Sequence, residues 1–386
     1  MKILIGITYY RPHTSGLTIY AERLAKALAT RGHEVTVLTS QYDKQLPRYD
    51  KKDGVTIIRA PVLLRISKGV IMPTFGFLAS KLVRETDVIQ LHLPQFDAAG
   101  ISLRGRLLNK PTVITYHCDL IMPGGLLSWL ANQAVHLMNH LAAIFTHRIV
   151  TYTCDYAENS RFLRNYLKKV DVILPPVEFP SVEKVVSQEL KCKYNPDDRH
   201  PVIGMAARFT TEKGVEVLIS ALPKVFEKFP NALVQFAGPY EKIIGEEQYY
   251  KKLSPIIENF ATSGQWKYLG VLGPEEMVAF YRSIDVLVIP SLNSTEAFGL
   301  VQIEAMINGV PTIASNLPGV RQPVLMHQMG KIIPIGDSEK LGDTLIEILE
   351  NPKIYKKIYK TIAEKYDPDT IAEAYETMFR NLLERS

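Results

Sequence analysis

The chain has 386 residues, of which 46% are apolar and 22% charged, with 23 glycines, 24 prolines and three cysteines. At about 100–200 residues per domain, this length supports two or three globular domains, and the composition excludes a disordered or collagen-like chain. The scattered Cys118, Cys154 and Cys192 exclude a disulfide framework and a four-cysteine zinc site, and they fit a reducing compartment.

The formal net charge of +5 is unevenly placed: residues 1–178 hold 22 Lys+Arg against 13 Asp+Glu, and the remainder 23 against 27. A basic first half attracts anions, which brings an anionic acceptor, an anionic membrane surface or nucleic acid into view. Its basic residues are dispersed and carry no helix-turn-helix, zinc-finger or RNA-recognition signature, so nucleic acid is not an expected partner. The opening MKILIGITYYRPH turns polar at Arg11 and Pro12, which reads as a buried strand rather than a signal peptide. No apolar run reaches the roughly 18 residues of a spanning helix. The expected location is cytoplasmic, with peripheral attachment to the cytoplasmic membrane face as its extension.

In chain order, β-branched runs predict strands at 2–7, 34–39, 55–59, 87–91, 112–116, 148–153 and 171–174. Residues 17–31 have apolar positions at helical spacing, and Gly32 follows as a stop. Leu174-Pro-Pro-Val-Glu-Phe-Pro180 then reads as a semi-rigid linker. Strands follow at 202–207, 232–237, 266–269, 286–290, 312–314 and 331–333, with helices at 213–229, 247–262, 274–283, 299–308 and 338–350. The stretch 353–385 is helical apart from a break at Asp367-Pro368. Apolar strands alternating with helices mean parallel sheets covered on both faces. The expected architecture is α/β: two Rossmann-like doubly wound domains, 1–176 and 177–369, facing across a cleft, with a helix at about 370–386 packing back onto the first. Neither half carries G-x-G-x-x-G.

Four constellations carry chemistry. In Glu296-Ala-Phe-Gly-Leu-Val-Gln-Ile-Glu304, a loop leads into a helix whose first turn holds Phe298, Gly299 and Leu300. Amides at such a turn form an anion site, and two carboxylates suit a hydroxyl-rich ligand; spacing alone equally fits a capping acid and a surface glutamate. In Arg208-Phe-Thr-Thr-Glu-Lys213-Gly214, a forked donor and a point charge follow a strand, a natural pair for a diphosphate. Thr115-Tyr-His117-Cys-Asp119 sits at the end of a first-half strand, and Arg11-Pro-His-Thr-Ser15-Gly16 opens the first helix.

Arg208 with Lys213-Gly214, Gly238 after the next strand, Asp285-Val-Leu-Val-Ile-Pro-Ser291, Glu296-x7-Glu304 and Gly309-Val-Pro311 together resemble the retaining GT-B glycosyltransferases of family 4, in the family's order. The resemblance implies a hexosyltransferase using a nucleotide diphosphate sugar, with no metal or other cofactor. Arg208 and Lys213 would hold the pyrophosphate, Glu296 the sugar hydroxyls, and the amides of Phe298, Gly299 and Leu300 sugar and phosphate. Glu304 would accept from the ribose, and the base would lie near Leu272 and Met277, with Gly238 and Gly16 also on the donor. The family implies that His117 faces the anomeric centre, orienting rather than attacking, in a front-face reaction whose leaving phosphate takes the acceptor's proton. Ser15 and Asp119 are assigned to the acceptor, a glycan or lipid-linked molecule, with orientation of His117 as a second role for Asp119. Ser15 stands where the family usually has the first of two glycines. Alternatives with the same resemblance are a nucleotide-sugar 2-epimerase and a non-catalytic nucleotide-sugar-binding protein.

Two patterns read as structure. His136, His140 and His147 lie along one helical face without a metalloprotease glutamate, and Asp367-Pro-Asp369 reads as a capped helix start. Gly69–Leu78 is an apolar segment in the basic half, read either as core or as contact with a membrane-held acceptor.

Overall fold

The computed structural model describes residues 1–66, 69–120, 126–178, 180, 184–241, 243, 245–355 and 360–385. The chain divides into two compact units, residues 1–178 with 365–386 and residues 179–364.

Unit 1 is built on an eight-stranded sheet. Its strands are β1 (Lys2–Gly6), β2 (Glu34–Gln41), β3 (Tyr49–Lys52), β4 (Val55–Pro61), β7 (Val88–Leu93), β8 (Thr112–Tyr116), β9 (Arg148–Thr151) and β10 (Val170–Val172). A separate hairpin pairs β5 (Leu64–Ile66) with β6 (Gly69–Ile71). The order is β10-β9-β8-β7-β1-β2-β4-β3, and every pairing is parallel except β3 with β4. Every residue of β7 and β8 is buried, as a parallel sheet with helices on both faces requires. The covering helices are α1 (Gly16–Thr30), α2 (Phe75–Glu85), α3 (Ala98–Leu107), α4 (Leu126–Phe145) and α5 (Cys154–Asn159).

Unit 2 begins with α6 (Lys184–Tyr194) and continues with β11 (Val202–Ala206), α7 (Val215–Lys228), β12 (Leu233–Ala237), α8 (Glu247–Thr262), β13 (Trp266–Gly270), α9 (Pro274–Ser283) and β14 (Val286–Ile289). It is completed by α10 (Leu300–Ile307), β15 (Thr312–Ser315), α11 (Gln322–His327), β16 (Gly330–Ile333), α12 (Ser338–Glu350) and α13 (Pro352–Tyr355). Its six strands run β13-β12-β11-β14-β15-β16, all parallel. That is the Rossmann order, in which the winding reverses between the first and fourth strands, and ligands collect at the carboxyl ends of that pair. In unit 1 the corresponding reversal lies between β1 and β7.

After α14 (Lys360–Tyr366), the chain re-enters unit 1 as α15 (Pro368–Leu383), whose Asp367 cap accepts from the amides of Asp369 and Thr370. α15 packs along α1, where Arg31 meets both Asp369 and Glu376 at 2.9 Å. The proline-rich crossing is not loose: Val177 is buried, and its amide donates to the Tyr366 carbonyl at 2.8 Å. Phe179 lies outside the described residues.

Three strands depart from the sequence reading. β3 is the polar edge segment Tyr-Asp-Lys-Lys, a strand by pairing alone, with no apolar pattern to announce it. β5 and β6 form a short hairpin, so Gly69–Leu78 divides between β6 and the start of α2. Phe75 is buried there, whereas Phe77 is 76% exposed; the segment is core only in part. α6 was not expected, and Pro123 and its neighbours 121–125 lie outside the described residues. Among the described residues, no helix is long and apolar enough to cross a membrane.

Candidate functional site

In unit 2 the loops after β11 and β14 interlock. Gly214 has φ +68°, and a Cβ there would lie 2.1 Å from the Pro290 carbonyl oxygen, so only glycine lets the two loops close together. The Leu292 amide donates to the Glu212 carbonyl at 2.9 Å. This closeness brings the Lys213 ammonium onto one carboxylate oxygen of Glu296, while the other accepts from the Gly299 amide at 3.1 Å. Both side chains are only 19% exposed, so the pair is largely shielded from water and weakly screened. Arg208 reaches Glu212 at 3.2 Å and remains half exposed.

Gly299 stands at φ +74° at the head of α10. The buried Gln302 fastens that turn by donating to the carbonyls of Phe298 (3.0 Å) and Val320 (2.8 Å). Leu300 begins α10, and Glu304, on the next turn, accepts from the Tyr281 hydroxyl at 2.8 Å. Gly238 has φ +134°, with the Ala207 carbonyl oxygen 2.0 Å from where a Cβ would stand; its amide donates to Gly270 at 2.7 Å. Leu272 and Met277 are half-buried on the loop after β13 and on α9. Arg208, Lys213, Glu296, Phe298, Gly299 and Leu300 therefore gather at the carboxyl ends of β11 and β14, the reversal point of the sheet. Gly238, Leu272, Met277 and Glu304 flank them on the neighbouring loops and helices.

In unit 1, Ser15 caps α1 by accepting from the Thr18 amide at 3.2 Å, and Gly16 follows with nothing within 4 Å of a prospective Cβ. His117 leaves β8 buried. Its Nε2 lies 2.8 Å from Nδ1 of His92, and its Nδ1 meets the Tyr152 hydroxyl. The Tyr20 ring stands edge-on to it, with centroids 5.0 Å apart at 88°. Burial lowers the pKa of His117 well below 6.5, with His92 as a lesser cause, and lowers that of His92 to about 3. Both imidazoles are neutral at pH 7. The Tyr20 hydroxyl continues the network to Tyr375 of α15 at 2.8 Å, and Tyr375 meets Thr115 at 2.7 Å.

Asp119 does not orient His117. Its carboxylate accepts from the Tyr116 hydroxyl (2.8 Å), the Ser160 hydroxyl (2.6 Å) and the Arg161 amide (3.3 Å), and it is buried. The two ring nitrogens of His117 are instead held by His92 and Tyr152.

Two family profiles divide the chain: "Glycosyltransferase Family 4" matches residues 14–179 and "Glycosyl transferases group 1" matches residues 186–365. The chain is a GT-B-fold glycosyltransferase related to glycosyltransferase group 1 and family 4. It is 28% identical to an uncharacterized glycosyltransferase of Methanocaldococcus jannaschii, over 100% of this chain and 99% of the relative. It is 25% identical to the phosphatidyl-myo-inositol mannosyltransferase of Mycobacterium leprae, over 98% and 97%. Among solved structures, HepE of Anabaena in complex with UDP-glucose shares the fold with a TM-score of 0.77 at 18% identity, over 99% of this chain and 100% of that one.

As a glycosyltransferase, the chain transfers a sugar from a nucleotide-sugar donor. Residues that the sequence reading passed over are His92, Tyr152, Tyr20 and Tyr375 around His117 in unit 1, and Tyr281 beside Glu304 in unit 2. One signal was available: Gln90 and His92 occur at alternate positions in the otherwise apolar run Val-Ile-Gln-Leu-His-Leu, so both face one side of a buried strand. Of the histidines on the α4 face and beyond it, His140 pairs with the Tyr166 hydroxyl at 2.8 Å and His147 accepts from the Thr112 amide at 3.1 Å. Among the described residues, no group of three or more His, Cys, Asp or Glu is arranged to hold a metal ion.

Proposed function

We propose that the glycosyltransferase moves a hexosyl unit from a nucleotide diphosphate sugar bound by unit 2 to a lipid-linked acceptor bound by unit 1, with retention at the anomeric carbon. The observation that carries the donor half is the Lys213–Glu296 pair at the reversal point of the unit 2 sheet. A diphosphate entering there takes Lys213 from Glu296, and Arg208 adds its forked donors. Glu296, released from the ammonium, accepts from sugar hydroxyls. The leaving diphosphate is stabilised by the same two cations and by the amides at the head of α10. Glu304 takes the ribose, with the base against Leu272 and Met277. His117, neutral and gripped by His92 and Tyr152, positions the sugar; a neutral ring neither repels the developing positive character at the anomeric carbon nor attacks it. The departing phosphate receives the acceptor's proton.

A lipid acceptor at an anionic cytoplasmic membrane face is supported by the positive excess of residues 1–178, by the exposed Leu63, Leu64, Ile71 and Phe77 and by the lipid acceptor named for the mycobacterial relative. Thermal melting with UDP, GDP and ADP tests the donor half. A nucleotide at about a hundred times its Kd adds roughly 2.7 kcal/mol. One of the three is expected to raise the melting temperature, and Lys213→Ala is expected to abolish most of that rise. No rise with any nucleotide at millimolar concentration overturns the donor site.

A further inference from the structure

Glu304, the carboxylate assigned to the ribose, is held from a second helix. Tyr281 of α9 donates its hydroxyl to Oε2 of Glu304 at 2.8 Å. The two residues stand on α9 and α10, which pack against each other. Tyr281 is only 2% exposed, and its ring centroid lies 5.2 Å from that of Phe280 at 57°. Glu304 is half-buried, one turn into α10. A ring packed into a dense core keeps one position, whereas a glutamate side chain has several rotatable bonds and a choice of rotamers. The phenol is thus the fixed partner and the carboxylate the one that is aimed.

The helix that carries Tyr281 is itself anchored at both ends. At its start, Glu276 Oε2 accepts from the Gly273 amide at 2.9 Å, and Oε1 accepts from the hydroxyl of buried Tyr194 on α6 at 3.1 Å. At its end, the buried Ser283 hydroxyl meets Gln235 of β12 at 3.1 Å. Met277 and Tyr281 stand four residues apart on α9 and so share a face. The residue assigned to the base and the residue that holds Glu304 therefore belong to one rigid element.

We propose that Tyr281 is a positioning residue that fixes the Glu304 carboxylate for the ribose diol and thereby selects ribonucleotide over 2′-deoxyribonucleotide donors. The inference rests on Glu304 taking the ribose. An ionised carboxylate offers about four acceptor sites, so it can hold the tyrosine hydroxyl and the ribose hydroxyls together. A buried tyrosine needs a hydrogen-bond acceptor, which any nearby carbonyl could supply; directed at this carboxylate, the hydroxyl also sets a rotamer. A carboxylate already aimed at a hydroxyl is left short of it when the ligand lacks that group, which is how such sites reject the analogue. Without the Tyr281 hydroxyl, the carboxylate must be ordered by the ribose itself, and the ribose hydroxyls count for less.

Titration calorimetry on the full chain compares UDP, GDP and ADP with their 2′-deoxy counterparts, in the unmodified chain, Tyr281→Phe, Glu304→Ala and the double variant. For the base that binds, the unmodified chain is expected to favour the ribonucleotide by about tenfold or more. Tyr281→Phe, folded by its melting temperature, should weaken the ribonucleotide by about tenfold and leave the deoxynucleotide nearly unchanged, which removes most of the preference. In the Glu304→Ala background the same substitution should change neither ligand, because the carboxylate it positions is gone. An effect that persists in that background, or that weakens both nucleotides alike, overturns positioning in favour of a purely structural tyrosine. A preference that Tyr281→Phe leaves intact overturns it as well. Equal binding of the two sugars by the unmodified chain overturns the assignment of Glu304 and the inference with it, while a loss of both nucleotides in Lys213→Ala keeps the diphosphate half of the donor site. Binding of no nucleotide by the unmodified chain is instead the failure of the donor site itself.

Discussion

Nε2 of His117 lies 2.8 Å from Nδ1 of His92, so two buried imidazoles share one hydrogen bond, one ring donating and the other accepting. Burial holds both pKa values below the ordinary 6.5, that of His92 at about 3. At these two rings the unfolded chain therefore binds more protons than the folded one below pH 6.5, whereas Asp97, raised to about 6 by burial, acts in the opposite sense. The pair's contribution to stability is complete above that pH and falls as the pH drops towards about 3. His33, His140 and His147 are shifted the same way, so the pair is isolated by a difference. In urea denaturation across this range, His92→Gln, which keeps a neutral hydrogen-bonding side chain, should lose stability less steeply than the unmodified chain, by up to about 1.4 kcal/mol per pH unit.

Tyr152→Phe removes the hydroxyl at Nδ1 of His117 while keeping the ring. Under the proposed role, kcat should fall by about tenfold, the effect of about 1.4 kcal/mol of lost positioning. KM for the donor should change little, because His117 is not its principal anchor. Steady-state kinetics separate the two parameters.

Glu296→Gln keeps an acceptor for the Gly299 amide but removes the charge that occupies Lys213. Binding of the nucleotide diphosphate alone should be unchanged or tighter, since Lys213 no longer leaves a carboxylate partner to meet the phosphate. Transfer should fall by about ten- to a hundredfold, the loss of a charged hydrogen bond to the sugar. Calorimetry and transfer rates measured on the same sample check the opposition.

Two glycines should respond in contrasting ways. Gly214→Ala forces a Cβ to 2.1 Å from the Pro290 carbonyl at a positive φ, and it should destabilise unit 2 by about 1–3 kcal/mol or more. Gly16→Ala places its Cβ in open space, so chemical denaturation should scarcely change. If Gly16 lets a ligand approach the head of α1, activity should fall all the same. Denaturation and transfer assays on both variants provide the comparison.

Tyr375→Phe removes a hydroxyl shared with Tyr20 and Thr115 inside unit 1. Leaving buried hydroxyls short of a partner should cost about 1–3 kcal/mol. Hydrogen exchange should show lost protection in α1 and α15, with the strands β11–β16 unaffected.

Much of this was legible in the residues. Helices 247–262, 274–283 and 338–350 match α8, α9 and α12 because of their apolar spacing, joined at α9 by Pro274 and at α12 by the Asp337 cap. The loops at 208–213 and 296–300 that meet through Lys213 and Glu296 were visible because glycine and charge cluster where strands end. The surroundings of His117 were not, because its partners come from three distant segments, β7, the end of β9 and α1, with α15 joined to them through Tyr20. Each of those residues, taken alone, is an ordinary tyrosine or histidine in an apolar run. β3 was invisible for a related reason, since pairing with Tyr49↔Ile58 and Lys52↔Val55, rather than any local pattern, makes it a strand.

Unit 1 is assembled from two stretches of chain separated by the whole of unit 2. A ribosome releases residues 179–364 before it releases 365–386, so the continuous unit can fold during synthesis while its neighbour still lacks α15. Until that helix arrives, the hydroxyls of Tyr20 and Thr115 lack Tyr375, and Arg31 lacks Asp369 and Glu376. Native closure of unit 1 thus waits on a long-range contact, slow by its sequence separation, and during that interval the face of α1 that α15 will cover is open to chaperones.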